Sequence, residues 1–259
     1  MAFWGDYHTH TVYSHGKGTI EENVIRAVRL GFKEIAITDH GFKHFTYNVR
    51  RMDWPVMQKE VALIRQKYPM IRIYLGLETN LTSVTGTADI VDEDVKALDL
   101  IICGYHKFVR PDRLYDVCTF FLPNLFAKST DKQKPKRIRK NTDAYIHLLE
   151  RYDIDIISHP NYGIQSDVFE VARACKHYGT FMELNGKKVS MTDRELERLT
   201  AEGTSFIVDS DAHSVERIGD FSVPLKVVDR LGIPYDRLVN WEKIPDFRSQ
   251  KKKRDHADG

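Results

Sequence analysis

Histidines and carboxylates recur in this chain at one kind of place, directly after a short apolar run. The phrases are Asp6-Tyr7-His8-Thr9-His10 with His15 just beyond, Thr38-Asp39-His40, Gly76-Leu77-Glu78, Gly104-Tyr105-His106, Ser158-His159-Pro160, Glu183-Leu184-Asn185 and Asp209-Ser210-Asp211-Ala212-His213. Imidazole and carboxylate without thiolate form the donor set of Zn²⁺, Mn²⁺ or Fe sites. The spacing of His8 and His10 has its own meaning: alternate residues of a strand point the same way, so both rings can reach one ion. An isolated pair of this kind is as well explained by two surface or core histidines. Joined by the other strand-end groups, it reads as part of a metal centre.

The runs that must position these groups are Phe3–Tyr7, Glu34–Thr38, Ile71–Leu77, Leu98–Cys103, Ile154–Ser158, Thr180–Leu184 and Ser205–Val208. Apolar on both faces and rich in β-branched residues, they read as buried parallel strands. Helices fit between them. Thr19 caps a segment that Gly31 stops, and Asp53-Trp54-Pro55 opens another. Residues 142–152, 165–178, 192–202 and 222–231 have the same character. Strand–helix alternation implies a parallel sheet with right-handed crossovers, and seven strands suggest a complete or incomplete α/β barrel. No glycine-rich phosphate loop follows the first strand, which argues against a dinucleotide fold. In a parallel barrel every strand C-terminus opens on one face. His8, His10, His15, His40, His106, His159 and His213 then meet Glu78 and Asp211 in one bowl.

The 42% hydrophobic and 29% charged residues are ordinary globular values. No apolar run approaches the roughly 20 residues of a membrane helix, and the N-terminus lacks signal-peptide features. Cys103, Cys118 and Cys175, widely spaced and odd in number, speak against a disulfide framework and for a cytoplasmic location. A net charge of +2 gives no sign of nucleic-acid binding. Basic residues do crowd at Lys132, Lys134, Lys136, Arg137, Arg139 and Lys140 and at Lys251 to Arg254. They read as a solvated loop and a disordered terminus, or as a landing strip for phosphate-rich substrates. Residues 1–245 are expected to form one domain, with an irregular insertion at 107–141 covering one end of the barrel and a basic, disordered tail at 246–259.

These motifs resemble the polymerase and histidinol phosphatase (PHP) family over nearly the whole chain. The matching phrases are Asp6-Tyr7-His8-Thr9-His10-Thr11, Ile37-Thr38-Asp39-His40, Ile157-Ser158-His159-Pro160 and Ser210-Asp211-Ala212-His213, with Glu78 and His106 between the second and third. Together with the closing stretch Leu231 to Asn240, they look most like the small stand-alone phosphatases with three zinc ions. The resemblance implies a distorted (β/α)7 TIM-like barrel, the PHP fold, holding two to three divalent ions, zinc first, manganese or iron otherwise. It places His8, His10, Glu78 and Asp211 on one ion, Glu78 (bridging), His106 and His159 on a second, and His15, His40 and His213 on a third. His15 follows His10 by five residues where many three-metal relatives have six, so the third site departs from the pattern.

Such a centre hydrolyses phosphate esters through a hydroxide bridging two ions, with the metals neutralising charge at phosphorus. Ligand imidazoles have no free lone pair, so none is assigned as a base. Asp39 and Asp6 read as acceptors for a ligand's second N–H, or as simple cap or turn residues; Asp39 is counted with Glu78, Asp211 and Arg217 among the catalytic groups. Arg217, Lys107 and Asn185 are the candidates for binding substrate. His44, His147, His177 and His256 follow no strand and read as surface or helix histidines, His44 alone being near enough to the bowl to matter. The expected substrate is a small phosphorylated metabolite. Histidinol phosphate, a nucleotide diester or exonuclease substrate, and a non-catalytic metal-stabilised module are the alternatives, the last disfavoured because all nine ligand positions are filled. Elemental analysis of gently purified protein resupplied with Zn²⁺, Mn²⁺ and Fe should find two to three ions per chain; one or fewer would overturn the three-metal reading.

Overall fold

The computed structural model describes residues 3–127 and 134–251. Seven strands, β1 (Gly5–Asp6), β2 (Glu34–Ile37), β3 (Arg72–Asn80), β4 (Leu100–Gly104), β5 (Ile156–Ile157), β6 (Phe181–Asn185) and β7 (Phe206–Asp209), pair in sequence order. Every pairing is parallel. Helices α1 (Ile20–Arg29), α2 (Trp54–Lys67) and α3 (Asp92–Ala97) follow β1, β2 and β3. After β4, α4 (Leu114–Asp116), a π-helical turn (Val117–Phe121) and α5 (Leu122–Leu125) precede α6 (Lys134–Arg151). The last three, α7 (Val168–Tyr178), α8 (Asp193–Ala201) and α9 (Ser222–Leu231), follow β5, β6 and β7. Local chemistry sets the boundaries. Thr19 with Glu22 and Thr192 with Glu195 form reciprocal capping boxes, and Gly179 and Gly232 end their helices in left-handed conformation.

The barrel closes without a full seventh ladder. Between β7 and β1 stand a bridge from Thr9 to Ala212 and the side chain of Asn240. Asn240 is fully buried; its Oδ1 accepts from Val208 N (3.1 Å), and its Nδ2 donates to Val208 O (2.6 Å) and Gly5 O (3.4 Å). The far end from the strand C-termini is filled by Tyr7, Tyr74, Ile156, Ile207 and Phe247, with Tyr7 and Tyr74 donating to buried Glu34.

Three expectations change. The helix expected at 142–152 begins at Lys134, so Lys134, Lys136, Arg137, Arg139 and Lys140 stand on α6, not in a loop. Arg139 pairs there with Asp143 and Glu170; Lys132 lies outside the described residues. Of the 107–141 stretch, Lys107 and Phe108 line the cavity at the barrel mouth, while Phe120 and Phe121 pack on Tyr105. Finally, 246–251 is no loose tail: Phe247 plugs the barrel floor, and Ser249 N donates to buried Asp155 (2.8 Å). The remainder of the expected tail, 252–259, lies outside the described residues.

Asn240→Ala should cost about 2–4 kcal/mol, because it strands buried backbone groups on both sides of the seam. Denaturant unfolding measures this, and an unchanged midpoint would show that the seam does not depend on Asn240.

Candidate metal centre

The strand C-termini open on a cavity of about 590 Å³ that carries seven of the nine predicted ligands; the other two, His8 and His10, are buried beside Glu78 and Asp211. At the base of the cavity sits Glu78, on the long strand β3 and only 1% exposed. Its Oε1 accepts from Ser158 Oγ (2.9 Å) and lies 2.8 Å from His159 Nε2 and 3.5 Å from His106 Nε2. Its Oε2 lies 2.8 Å from His40 Nδ1, 3.3 Å from His8 Nε2 and 3.6 Å from His10 Nε2. Asp211 stands across from it, 3.2 Å from His10 Nε2 and 3.7 Å from His8 Nε2.

His159 and Asp211 take left-handed backbone conformations, φ 31° and 50°. Residues with a Cβ rarely adopt these unless the surroundings impose them, and such strain gathers at functional sites. At Gly104, the last residue of β4, a side chain would collide with Ser158 and His159.

The candidate donors divide in protonation. Beside the carboxylates of Glu78, Glu183 and Asp211, His8 is pushed well up and His159 up despite burial, while other rings are pushed down. Burial, then neighbouring imidazoles, pushes His10 well down; His15 falls to about 3 and His40 to about 4, mainly through burial. Their rings are therefore neutral at pH 7, the form that ligates metal. Burial opposes ionisation of Glu78 and Asp211, yet the surrounding imidazoles, His8 first, hold both well below the usual carboxylate range. His8 Nε2, both nitrogens of His10, His15 Nδ1, His40 Nδ1 and His159 Nδ1 are buried without a hydrogen-bond partner. Ligands roughly 2.1 Å from a tetrahedral ion stand about 3.4 Å apart. The His8, His10 and His106 contacts with Glu78 and Asp211, at 3.2–3.7 Å, match that spacing and are longer than good hydrogen bonds. Three tight clusters could each hold an ion: His8, His10 and Asp211; His40, Glu78 and His106; His10, His40 and His213.

The sequence profile of the PHP domain matches residues 6–193. This chain belongs to the PHP domain family. A protein of Thermoanaerobacter sp. (strain X514) named "Probable phosphatase" is 30% identical, with 96% of each chain covered. One of the same name from Shewanella piezotolerans is 26% identical over 93% of this chain and 90% of its own length. Among solved structures, the histidinol phosphate phosphatase of Lactococcus lactis, crystallised with zinc, L-histidinol and phosphate, superimposes with a TM-score of 0.57. It is 14% identical, covering 89% of this chain and 94% of its own, so the likeness is one of fold.

Within this PHP barrel the nine expected ligands gather around Glu78 and Asp211, and the tight donor groups overlap the expected sets: His8 and His10 fall with Asp211, His106 with Glu78, and His40 with His213. His15 stacks on His40 (4.9 Å between centroids) and stands next to His213 (4.0 Å). β1 stops at Asp6, so His8 and His10 converge from an extended segment beyond the ladder, not from within a strand.

The supporting residues need more correction. Asp39 does not meet a ligand imidazole; it accepts from Thr11 N (2.7 Å), Thr11 Oγ1 (2.6 Å) and Ser14 Oγ (2.5 Å) and so fixes the loop leading to His15. Asp6 likewise holds backbone, at Ser210 and Gly219. The acceptors for ligand N–H groups are Glu183, 2.6 Å from His8 Nδ1, and Asn80, 2.7 Å from His106 Nδ1. Glu183 also accepts from His159 N (2.6 Å) and Asn185 Nδ2 (2.9 Å), and buried Asp89 grips Asn80. Both acceptors lie one strand period from a recognised strand-end residue, Asn185 or Glu78, the signal that could have found them.

Arg217 is not among the cavity-lining residues: its guanidinium, 44% exposed, pairs with Asp220 (2.6 Å) and donates to Gly186 O (3.4 Å), between the lining residues Asn185 and Lys187. Lys107 and Asn185 do line the cavity, and so do Lys187, Lys188, Tyr47, Phe108, Tyr162 and His44, none of them singled out by a strand end. Asn185 braces Asp211 through Nδ2 (3.1 Å). His147 and His177 sit on α6 and α7, while His256 lies outside the described residues.

Glu183→Gln leaves one acceptor oxygen where three donors converge and removes the charge that sets the His8 tautomer. Metal affinity should fall roughly 10–100-fold with the fold intact. Competitive chelator titration checks this; wild-type affinity would remove Glu183 from the support of the site.

Proposed function

We propose that this chain is a metal-dependent phosphoester hydrolase acting on a small phosphomonoester. The observation that carries this reading is Glu78, a buried carboxylate ringed by five imidazoles at the floor of an open cavity that carries lysines on its wall. His8, His10 and Asp211 would hold one ion, Glu78, His40, His106 and His159 a second, and His213 with His15 and its neighbours a third. The imidazole–carboxylate set favours zinc. When bound, such ions supply Lewis acidity to the phosphoryl oxygens and make water a competent nucleophile near neutral pH.

The chain itself must bring the ester in and neutralise it. Lys187 is placed for this: its Nζ lies 3.2 Å from Asp211 Oδ1 and 2.7 Å from His213 Nδ1. The ammonium thus stands beside two candidate ligands, within reach of whatever anion occupies the bowl. Lys107 and Lys188 add positive charge on the same wall. Tyr47, Phe108 and Tyr162, each about half exposed or more, form a rim against which the organic part of a small ester can pack. A cavity of about 590 Å³ suits a metabolite-sized ligand. Hydrolysis assays over sugar phosphates, histidinol phosphate and nucleotides, with metals counted in the same samples, test the reading; no turnover of any ester by fully metallated protein would overturn it.

Lys187→Ala should keep its metals and lose roughly 10–100-fold in kcat/KM, the scale of a charge-assisted hydrogen bond. Arg217→Ala should behave as wild type. The reverse order would return Arg217 to the site and dismiss Lys187.

A further inference from the structure

We propose that His44 is a catalytic residue of the bowl, a neutral imidazole whose Nε2–H donates a hydrogen bond to an oxygen of the bound phosphoryl group. The inference rests on the reading of the bowl as a phosphate-ester site. His44 belongs to none of the three ligand clusters. It stands on the loop between β2 and α2, and that loop is fastened to the segment after His106. An antiparallel bridge joins His44 to Val109, Phe45 N donates to Phe108 O (2.9 Å), and Arg110 N donates to Lys43 O (2.9 Å). The ring is wedged against His40 (5.6 Å between centroids, 22°) and Tyr47 (5.1 Å, 29°), with His106 edge-on at 6.0 Å. It is 7% exposed and lines the cavity.

The tautomer follows from the backbone. His44 Nδ1 accepts from Tyr47 N (3.1 Å) and Thr46 N (3.3 Å), so that nitrogen carries a lone pair. The proton of the neutral ring must then sit on Nε2. Nε2 has no protein partner among the described residues. An unpaired N–H held rigid at the edge of a cavity, next to candidate metal ligands, is a donor preorganised for an anion's oxygen. Neutrality matters here: the ring adds a donor without adding a positive charge that would repel bound cations.

Two substitutions separate this role from a structural one, because amides mimic one imidazole nitrogen each. In His44→Asn the amide oxygen can replace Nδ1 and hold the turn, but nothing replaces Nε2. In His44→Gln the amide N–H can reach the Nε2 position, while the turn loses its acceptor. Calorimetric binding of inorganic phosphate to the metal-loaded protein is the main readout, with kcat/KM, metal count and Tm measured on the same samples. His44→Asn should keep its metals and Tm yet bind phosphate roughly 10–100-fold more weakly, with kcat/KM falling alongside. His44→Gln should melt earlier but bind phosphate better than His44→Asn. The proposal is overturned if His44→Asn binds phosphate like wild type, if its loss accompanies loss of metal, or if His44→Gln binds no better. A wild-type protein that hydrolyses no ester, but binds phosphate in a His44-dependent way, would overturn the hydrolase reading and the catalytic role of His44 with it, leaving only the hydrogen bond to phosphate.

Discussion

The structure depends on keeping the Glu78 carboxylate charged where it is almost wholly buried, only 1% exposed at the base of the cavity. Moving a carboxylate out of water costs several kcal/mol unless its oxygens find strong partners. Here Ser158 and His159 supply hydrogen bonds, while His8, His10 and His106 stand too far for good ones and at the right separation for a shared cation. The arrangement is unsatisfying as a hydrogen-bond network and coherent as a set of ligands. That is why the fold invests so many further groups in holding the imidazoles at fixed angles.

Those groups work in two ways. Glu183 and Asn80 fix ring tautomers by accepting the N–H that faces away from Glu78. Asp6 and Asp39 act one step further out, clamping the backbone of the loops that carry Asp211 and His15. Removing a ring acceptor alters a ligand directly, whereas removing a loop clamp alters where the ligand starts from. His159 combines both kinds of constraint: its left-handed backbone is held because Glu183 accepts its N–H while Glu78 engages its ring.

The strands, the barrel and the convergence of the nine candidate ligands were legible because each depends on a short-range pattern: apolar runs of strand length, each followed by a polar donor. What the sequence hid depends on long-range approach. Lys187 lies two residues past Asn185 and enters the bowl only because the chain turns back at Gly186 towards β7, where Gly186 N donates to Asp209 O (2.7 Å). His44 is brought in by a bridge to Val109, 65 positions away in the chain, which no periodicity announces. Arg217, four residues after His213, sits on a 3-10 turn where Asp220 and Gly186 O share its guanidinium beside the lining residues. The helical character of 134–141 was masked by its charge density, which Glu170 on α7 and Asp143 partly neutralise.

A period of two explains how one barrel serves as both core and site. Along β3 the inward series runs Tyr74, Gly76, Glu78 and Asn80, and along β4 it runs Leu100, Ile102, Gly104 and His106. On β6 and beyond, Phe181 gives way to Glu183 and Asn185; after β7, Ile207 gives way to Asp209 and Asp211. Each of these four strands passes from a residue on the floor, through a small or hydrogen-bonded one, to a candidate ligand or its support at the mouth. The floor is sealed by Phe247, contributed from the far end of the chain and packed on Tyr7 (5.0 Å) and Tyr74 (5.9 Å). β1 breaks the period, since Tyr7 reaches the floor while His8 reaches Glu78. That break is possible because its ladder ends at Asp6 and the seam beside it is stitched by Asn240 in place of a strand. The incomplete closure is therefore what frees the His8–His10 segment to bring two rings onto one carboxylate.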